Sequence, residues 1–235
     1  MSATKKNHDG PQWYGRRQGH RLRPNRQALI DTLLPTLRVE LPKDGVLDPS
    51  AVFSAPLNDI WLEVGFGGGE HLAAQARANP NIGFIGCEPF INGIANLLSQ
   101  VERDGLTNVR IYDDDARKLF AVLPDAVFGR IFALYTDPWP KTRHHRRRFI
   151  SDDTTDTLIR LLKDNAELRL AHDHMGYVGW MLDHVTRRQE LQWQAKSKSD
   201  WQEPPDDWVE TRYEQKAKAR GLHPAYLSFV RRARV

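Results

Sequence analysis

Residues 58–74, NDIWLEVGFGGGEHLAA, decide the fold. Ile60, Trp61, Leu62 and Val64 make a short apolar run with strand preference. Gly65, Gly67, Gly68 and Gly69 follow as a turn that side-chain-bearing residues would resist. From residue 70 to 78 the pattern becomes helical. A buried strand that ends in glycines and opens a helix is the first unit of an α/β domain built on a parallel sheet.

On either side of this unit the same alternation continues. Strands are expected at 60–64, 82–87, 109–112, 130–136, 168–171, 191–195 and 225–230, and the main helices at 70–78, 90–103, 152–163 and 177–188. Ser151 is an N-cap with Asp152 and Asp153 in a favourable first turn, and a short charged helix over 212–220 stops at Gly221. This predicts one Rossmann-like α/β domain over 58–235, with a mostly parallel seven-stranded sheet, helices on both faces and the ligand beyond the carboxyl ends of the strands. Residues 1–24 read as a flexible basic arm that orders, if at all, on its partner. Residues 25–57 read as a short helix stopped by Pro35, then a proline-rich connection laid over the domain.

The glycine turn invites comparison with the dinucleotide fingerprint G-x-G-x-x-G, and the match fails at one position. With Gly65 and Gly67 aligned, the third glycine falls on Glu70, so a carboxylate stands at the helix N-terminus where a pyrophosphate would be held. S-adenosylmethionine carries no phosphate and has a cationic sulfonium, so it tolerates acids around such a turn. Glu63 completes E-x-G-x-G-x-G, which resembles the first motif of Rossmann-like methyltransferases. Glu88 closes the second strand, where an acid can take both ribose hydroxyls. Asp115, after the third strand, can accept a hydrogen bond from an adenine amino group, or belongs to a solvated acidic loop with Asp113 and Asp114.

Composition bounds the partners. The chain has 235 residues, 40% of them hydrophobic and 27% charged, and no apolar run approaches the roughly 18 residues that a membrane span needs. The start, MSATKKNHDGPQ, lacks the apolar core of a secretory signal, and the single cysteine, Cys87, excludes an internal disulfide and fits a reducing cytoplasm. Net charge is only +4, but it is unevenly spread: seven Lys or Arg against one acid in residues 1–26, five and no acid in KTRHHRRR at 141–148, and Arg231, Arg232 and Arg234 at the end. Three such runs point to a nucleic-acid surface.

The most specific stretch is YTDPWPKTRHHRRRF, residues 135–149. It resembles the bacterial tRNA (guanine-N7-)-methyltransferase family, whose pattern DPWxKxRHxxRR reappears as Asp137, Pro138, Trp139, Lys141, Arg143, His144, Arg147 and Arg148. The resemblance extends to LEVGFG at 62–67, to Glu88, Asp115-Ala116 and Asp173, and to TRYE at 211–214. It implies the class I methyltransferase fold and methyl transfer from S-adenosylmethionine to N7 of a guanine in the tRNA variable loop, usually position 46. It also implies Glu63, Gly65, Gly67, Glu88 and Asp115 for the cofactor, and Asp137 for cofactor and catalysis. Lys141, Asp173, Thr211, Arg212, Tyr213 and Glu214 are implied for the tRNA. Members often have threonine before the late acid and tryptophan after it, whereas Asp173 lies between His172 and His174. No metal is expected: the histidine pairs lack a cysteine partner and the spacing of a closed site.

Guanine N7 has a free lone pair, so attack on a sulfonium methyl needs no proton removed from the attacking atom. The expected work is positioning, with Asp137 accepting from guanine N1–H and N2–H while Trp139 or Tyr213 confines the base. Lys141, the basic run at 146–148 and the arm at 16–26 are expected to grip phosphate. A nicotinamide-dependent dehydrogenase, a non-catalytic RNA-binding protein and a methyltransferase acting on another RNA or on a small molecule are the competing readings.

Overall fold

The computed structural model describes residues 14–234. Strand β1 (Asp59–Val64) lies inside a seven-stranded sheet, between β2 (Ile82–Cys87) and β4 (Phe128–Leu134), parallel to both. Beyond β2 comes β3 (Val109–Tyr112); beyond β4 come β5 (Leu162–His172), β7 (Ala225–Arg231) and β6 (Leu191–Trp193). The order is β3-β2-β1-β4-β5-β7-β6, and only β7 runs antiparallel to its neighbours. The chain leaves β1 toward β2 and β3, then returns to lay β4 on its other side. That reversal opens a crevice at the carboxyl ends of β1 and β4.

Alternation along the central strands divides the core into two layers. Ile60, Leu62 and Val64 join the cluster that holds Leu158, Tyr177 and Met181, from α6 (Asp152–Leu161) and α7 (Met175–Thr186). Trp61 and Phe84 face the opposite cluster, with Leu72 from α3 (Glu70–Ala78) and Ile94, Leu97 and Leu98 from α4 (Ile91–Asp104). Helices therefore cover both faces, as the apolar runs predict. α4 ends where Gly105 adopts a left-handed conformation (φ +62°), and α6 begins in a capping box between Ser151 and Thr154.

Several local expectations are corrected. Pro35 does not end the first helical region: after α1 (Pro24–Thr32) it sits in the first turn of α2 (Leu34–Leu37), where its missing N–H costs nothing. β5 starts six residues before the expected 168, because Asn165 at φ +63° lets a polar bulge join the strand and Asp164 is held by Arg231 and Arg234. The acidic tail loop holds a short helix, α8 (Ser199–Gln202), and α9 (Arg212–Lys218) follows.

Of the arm expected at 1–24, residues 1–13 lie outside the described residues. The rest is docked: Ile91 N–H donates to Arg17 O at 2.9 Å, Gly19 N–H to Asn92 Oδ1 at 2.8 Å, and Asn92 Nδ2 to His20 O at 2.7 Å. The first of these bonds uses a donor at the start of α4, where backbone N–H groups have no partner within the helix. Tyr14, Gly15 and Arg16 of this segment line the crevice.

Candidate active site

At the carboxyl edge of the sheet a cavity of about 310 Å³ opens, lined by the ends of β1, β2 and β4, by the glycine turn and by Tyr14, Gly15 and Arg16. Gly65 and Gly67 take φ of +70° and +56°, the left-handed geometry that turns the backbone under the cavity. Gly93 lets α4 approach: a Cβ there would stand 2.1 Å from Gly67 O.

Six carboxylates line this space, and Glu63, Glu88, Asp115 and Asp137 stand at the ends of its four strands. Glu63, Glu88 and Asp115 are almost fully buried, while Asp137 is open to solvent at the mouth. Glu88 Oε2 accepts from Gly67 N–H at 2.9 Å and Oε1 from Phe90 N–H at 3.0 Å, which fixes its plane and leaves lone pairs for a ligand. Burial raises its carboxyl to about 7, against those two hydrogen bonds, with the charges of Asp137 and Glu63 adding to the rise. At the mouth, partial desolvation by the surrounding protein also raises the Asp137 carboxyl. Glu63 Oε2 lies 2.7 Å from Nδ1 of the buried His71.

Asp115 is not part of a solvated loop. It caps α5 (Ala116–Phe120) by accepting from Arg117 N–H, and Arg117 Nε and Nη2 hold both its oxygens. Asp113 is paired with Arg38, and Asp114 with Arg17 and Lys118, so each acid of the turn has a cation. Glu70 stands at the start of α3 as expected, but with Arg212 Nε 2.7 Å away. Arg212 thus joins the two helix starts on which the glycine turn and residue 211 are mounted.

The turn 135–140 is framed on every side. Tyr135 and Trp139 have φ of +52° and +40°, rare for aromatic residues and held only where surroundings over-determine them. Before Asp137, Thr136 O accepts from His172 Nε2 at 3.0 Å and Thr136 Oγ1 pairs with Tyr177 OH at 3.0 Å. His172 Nδ1 accepts from His174 N–H at 2.8 Å, which fixes the Nε2–H tautomer, and burial lowers its pKa. After Asp137, Arg148 Nε donates to Pro138 O at 2.8 Å. Arg147 lies over the rings of Tyr14 and Trp139, 4.7 and 4.9 Å from their centroids.

The basic run expected to grip phosphate therefore divides. Lys141 and Arg146 are exposed beside the cavity on the 3₁₀ turn region, Arg147 is in the aromatic stack, and Arg148 is buried against Tyr177 and Trp180. At the carboxyl end of the chain, Arg231 and Arg234 are structural, tied to Asp164.

The tRNA-binding residues implied by the resemblance are also spread out. Thr211 lines the cavity and caps α9 by accepting from Glu214 N–H at 3.2 Å. Glu214 is completely buried and accepts from Trp208 Nε1 and Tyr226 OH, each at 2.6 Å, so it anchors this segment to β7 rather than facing a ligand. Asp173 is half-buried, 3.0 Å from His172 Nδ1 and outside the cavity wall, as is Lys141. The Tyr213 side chain lies outside the described parts of the structure. Tyr14 and the packing of Arg147 and Arg148 at the turn, and His71 behind Glu63, carry no periodic or spacing signal; only assembly brings them there.

Among the described residues no group of three or more His, Cys, Asp or Glu side chains could hold a metal ion, and no helix is long and apolar enough to cross a membrane.

A family model described as "Putative methyltransferase" matches residues 58–226. The tRNA (guanine-N(7)-)-methyltransferase of Rhodospirillum rubrum is 50% identical over 225 residues, covering 94% of this chain and 88% of that protein. The protein of the same name from Chelativorans sp. is 46% identical over 219 residues, covering 93% and 94%. Among solved structures, the 16S rRNA methyltransferase KamB superposes with a TM-score of 0.56 at 15% identity, over 75% of this chain and 89% of that one. The [4+2]-cyclase SpnF gives 0.52 at 15% identity, over 77% of each. At these identities the two structures establish the fold alone.

Proposed function

The chain belongs to the tRNA (guanine-N7-)-methyltransferase family, and from that membership we propose that it methylates N7 of guanine 46, in the variable loop of tRNA, using S-adenosylmethionine. The observation that carries the reading is Asp137, a carboxylate on a turn braced at Thr136, Pro138 and Trp139, at the mouth of an acidic cavity beside exposed Lys141 and Arg146.

The cavity suits the cofactor. Its carboxylates raise one another's cost of ionisation, as Glu88 registers, and a cationic ligand relieves that cost. When bound, S-adenosylmethionine supplies a methyl group on a positively charged sulfur. Along the sheet order the acids run Asp115, Glu88, Glu63, Asp137. That sequence orients a nucleoside with its base near Asp115, its ribose hydroxyls on Glu88 and its amino-acid tail near Glu63, leaving the reacting end toward Asp137. Asp115 gives one wall of the adenine site while Arg117 holds its carboxylate.

Asp137 orients the target by accepting from guanine N1–H and N2–H, and the attacking N7 needs no base. Holding two reactants in line accounts for on the order of 7–11 kcal/mol of barrier reduction. Trp139, stiffened by Arg147 and Tyr14, offers an aromatic edge against which a splayed-out base packs. Lys141, Arg146, Arg16 and the Thr211 end of α9 receive the tRNA around this mouth, and the reading sets the reaction in the cytoplasm.

The test incubates the protein with methyl-labelled S-adenosylmethionine and an unmodified tRNA transcript, then cleaves the chain at N7-methylguanine. A single cut at position 46, lost when that guanine is replaced by adenine, supports the proposal. Label elsewhere in the tRNA, or in another RNA alone, overturns the position or the substrate.

A further inference from the structure

His71 is buried to 1% exposure in the first turn of α3, where the apolar side of the helix meets β1 and β4. Its ring packs on Phe132 at 4.7 Å and on Trp208 at 5.6 Å between centroids. A hydrocarbon side chain could fill that space. Histidine does so at a cost, because Nε2 is buried with no hydrogen-bond partner. What histidine adds is the other nitrogen: Nδ1 lies 2.7 Å from Glu63 Oε2, and a carboxylate oxygen can only accept, so Nδ1 carries the proton. The tautomer is thereby fixed, with the bare Nε2 turned into the apolar packing.

Glu63 is itself 4% exposed and lines the cavity. It lies near the end of β1, flanked by the strands that lead to Glu88 and Asp137, so it faces the middle of any ligand lying along the strand ends. His71 holds Oε2 and so restrains the carboxylate, which lines the cavity. A carboxylate so fixed suits a compact ammonium group.

We propose that His71 is a positioning residue: its Nδ1–H sets Glu63 to receive the α-ammonium group of the cofactor's amino-acid tail. This rests on the reading above that the cavity binds S-adenosylmethionine with its tail near Glu63. The imidazole never touches the ligand; it acts through the carboxylate, as outer partners orient ligating groups elsewhere.

Two ligands that share the adenosine half separate this role from a structural one. S-adenosylhomocysteine has the amino-acid tail, and 5′-methylthioadenosine lacks it. Calorimetric titration of both into wild type, Glu63→Gln, His71→Leu and His71→Asn reads the effect directly. His71→Leu and Glu63→Gln are expected to weaken S-adenosylhomocysteine by roughly tenfold or more, the scale of one hydrogen bond to a charged group. Both should leave 5′-methylthioadenosine within about twofold of wild type. His71→Asn, whose amide can donate from nearly the same position, should recover most of the loss.

His71→Leu weakening both ligands equally, or neither, overturns the proposal while Glu63→Gln still discriminates between them. Glu63→Gln failing to discriminate overturns the underlying reading of the cavity, and the proposal with it. Should His71→Leu not fold, His71→Phe, which keeps ring packing and removes the donor, is measured in its place with the same expectations.

Discussion

Arg148 Nε donates to the carbonyl oxygen of Pro138 at 2.8 Å, so a buried cation from the basic run holds the turn that carries Asp137. Its guanidinium also lies 5.2 Å from the Tyr177 ring centroid and 4.7 Å from that of Trp180. Burial lowers its pKa, the direction expected for a desolvated cation. The guanidinium is thus engaged with the turn and the two rings and is shielded from solvent.

Arg148→Ala should therefore lower stability by about 2 kcal/mol, combining a lost charged hydrogen bond with lost ring contacts, or roughly 4–8 °C in Tm. Turnover should fall while tRNA affinity stays near wild type. Thermal melts and filter binding check both; an unchanged Tm with weakened tRNA binding would show that Arg148 contacts phosphate instead.

Lys141 and Arg146 make the opposite case. Both are exposed on the same run, and Lys141→Ala or Arg146→Ala should weaken tRNA binding and lower the slope of log affinity against log salt by about one, with cofactor affinity unchanged. Binding isotherms at several salt concentrations give the slope; Arg148→Ala provides the control in which it does not change.

Glu88 gives the site a pH dependence. Its carboxyl rises from an ordinary 4.5 to about 7, first through burial. Protonation thus favours the folded, ligand-free chain: this contribution to stability is complete below the ordinary value and is lost as pH rises through about 7. Cofactor binding has the opposite sign, because only the carboxylate accepts from both ribose hydroxyls. Affinity should fall between about pH 8 and about pH 6, and Glu88→Gln should both weaken binding and flatten that dependence. Titrations at several pH values distinguish this from a response carried by another group, which would survive the substitution.

Asp137→Asn keeps the shape of the turn but makes one of the two acceptor atoms an amide donor. Turnover with tRNA should fall by at least about a hundredfold, while tRNA affinity changes little, since phosphate contacts dominate it. Single-turnover rates together with binding isotherms check the split; near-normal turnover would remove Asp137 from the chemistry.

Much of the fold was legible because the central strands are buried on both faces. Apolar runs as short as 60–64 and 82–87 fit buried strands and are too brief for core helices, and a glycine turn between strand and helix narrows the fold further. The acids at the strand ends followed from the fold, since its topology sends them to one crevice. What stayed hidden depends on contacts between residues distant in sequence. Nothing in the run at 146–148 distinguishes exposed Arg146 from buried Arg148, because the difference is made by Tyr177 and Trp180, about thirty residues on. Glu214 reads as a polar helix residue until Trp208 and Tyr226 enclose it. Polar residues 163–165 conceal the start of β5, since a bulge with a left-handed asparagine breaks strand periodicity.

The most direct measurement replaces the variable-loop guanosine of a tRNA transcript with 7-deazaguanosine, which exchanges N7 for a C–H and keeps the N1–H and N2–H groups offered to Asp137. The protein should bind this tRNA as tightly as the unmodified transcript and transfer no methyl group to it. Methylation of the 7-deaza transcript at that nucleotide would mean that another atom is the acceptor, and would contradict N7 transfer.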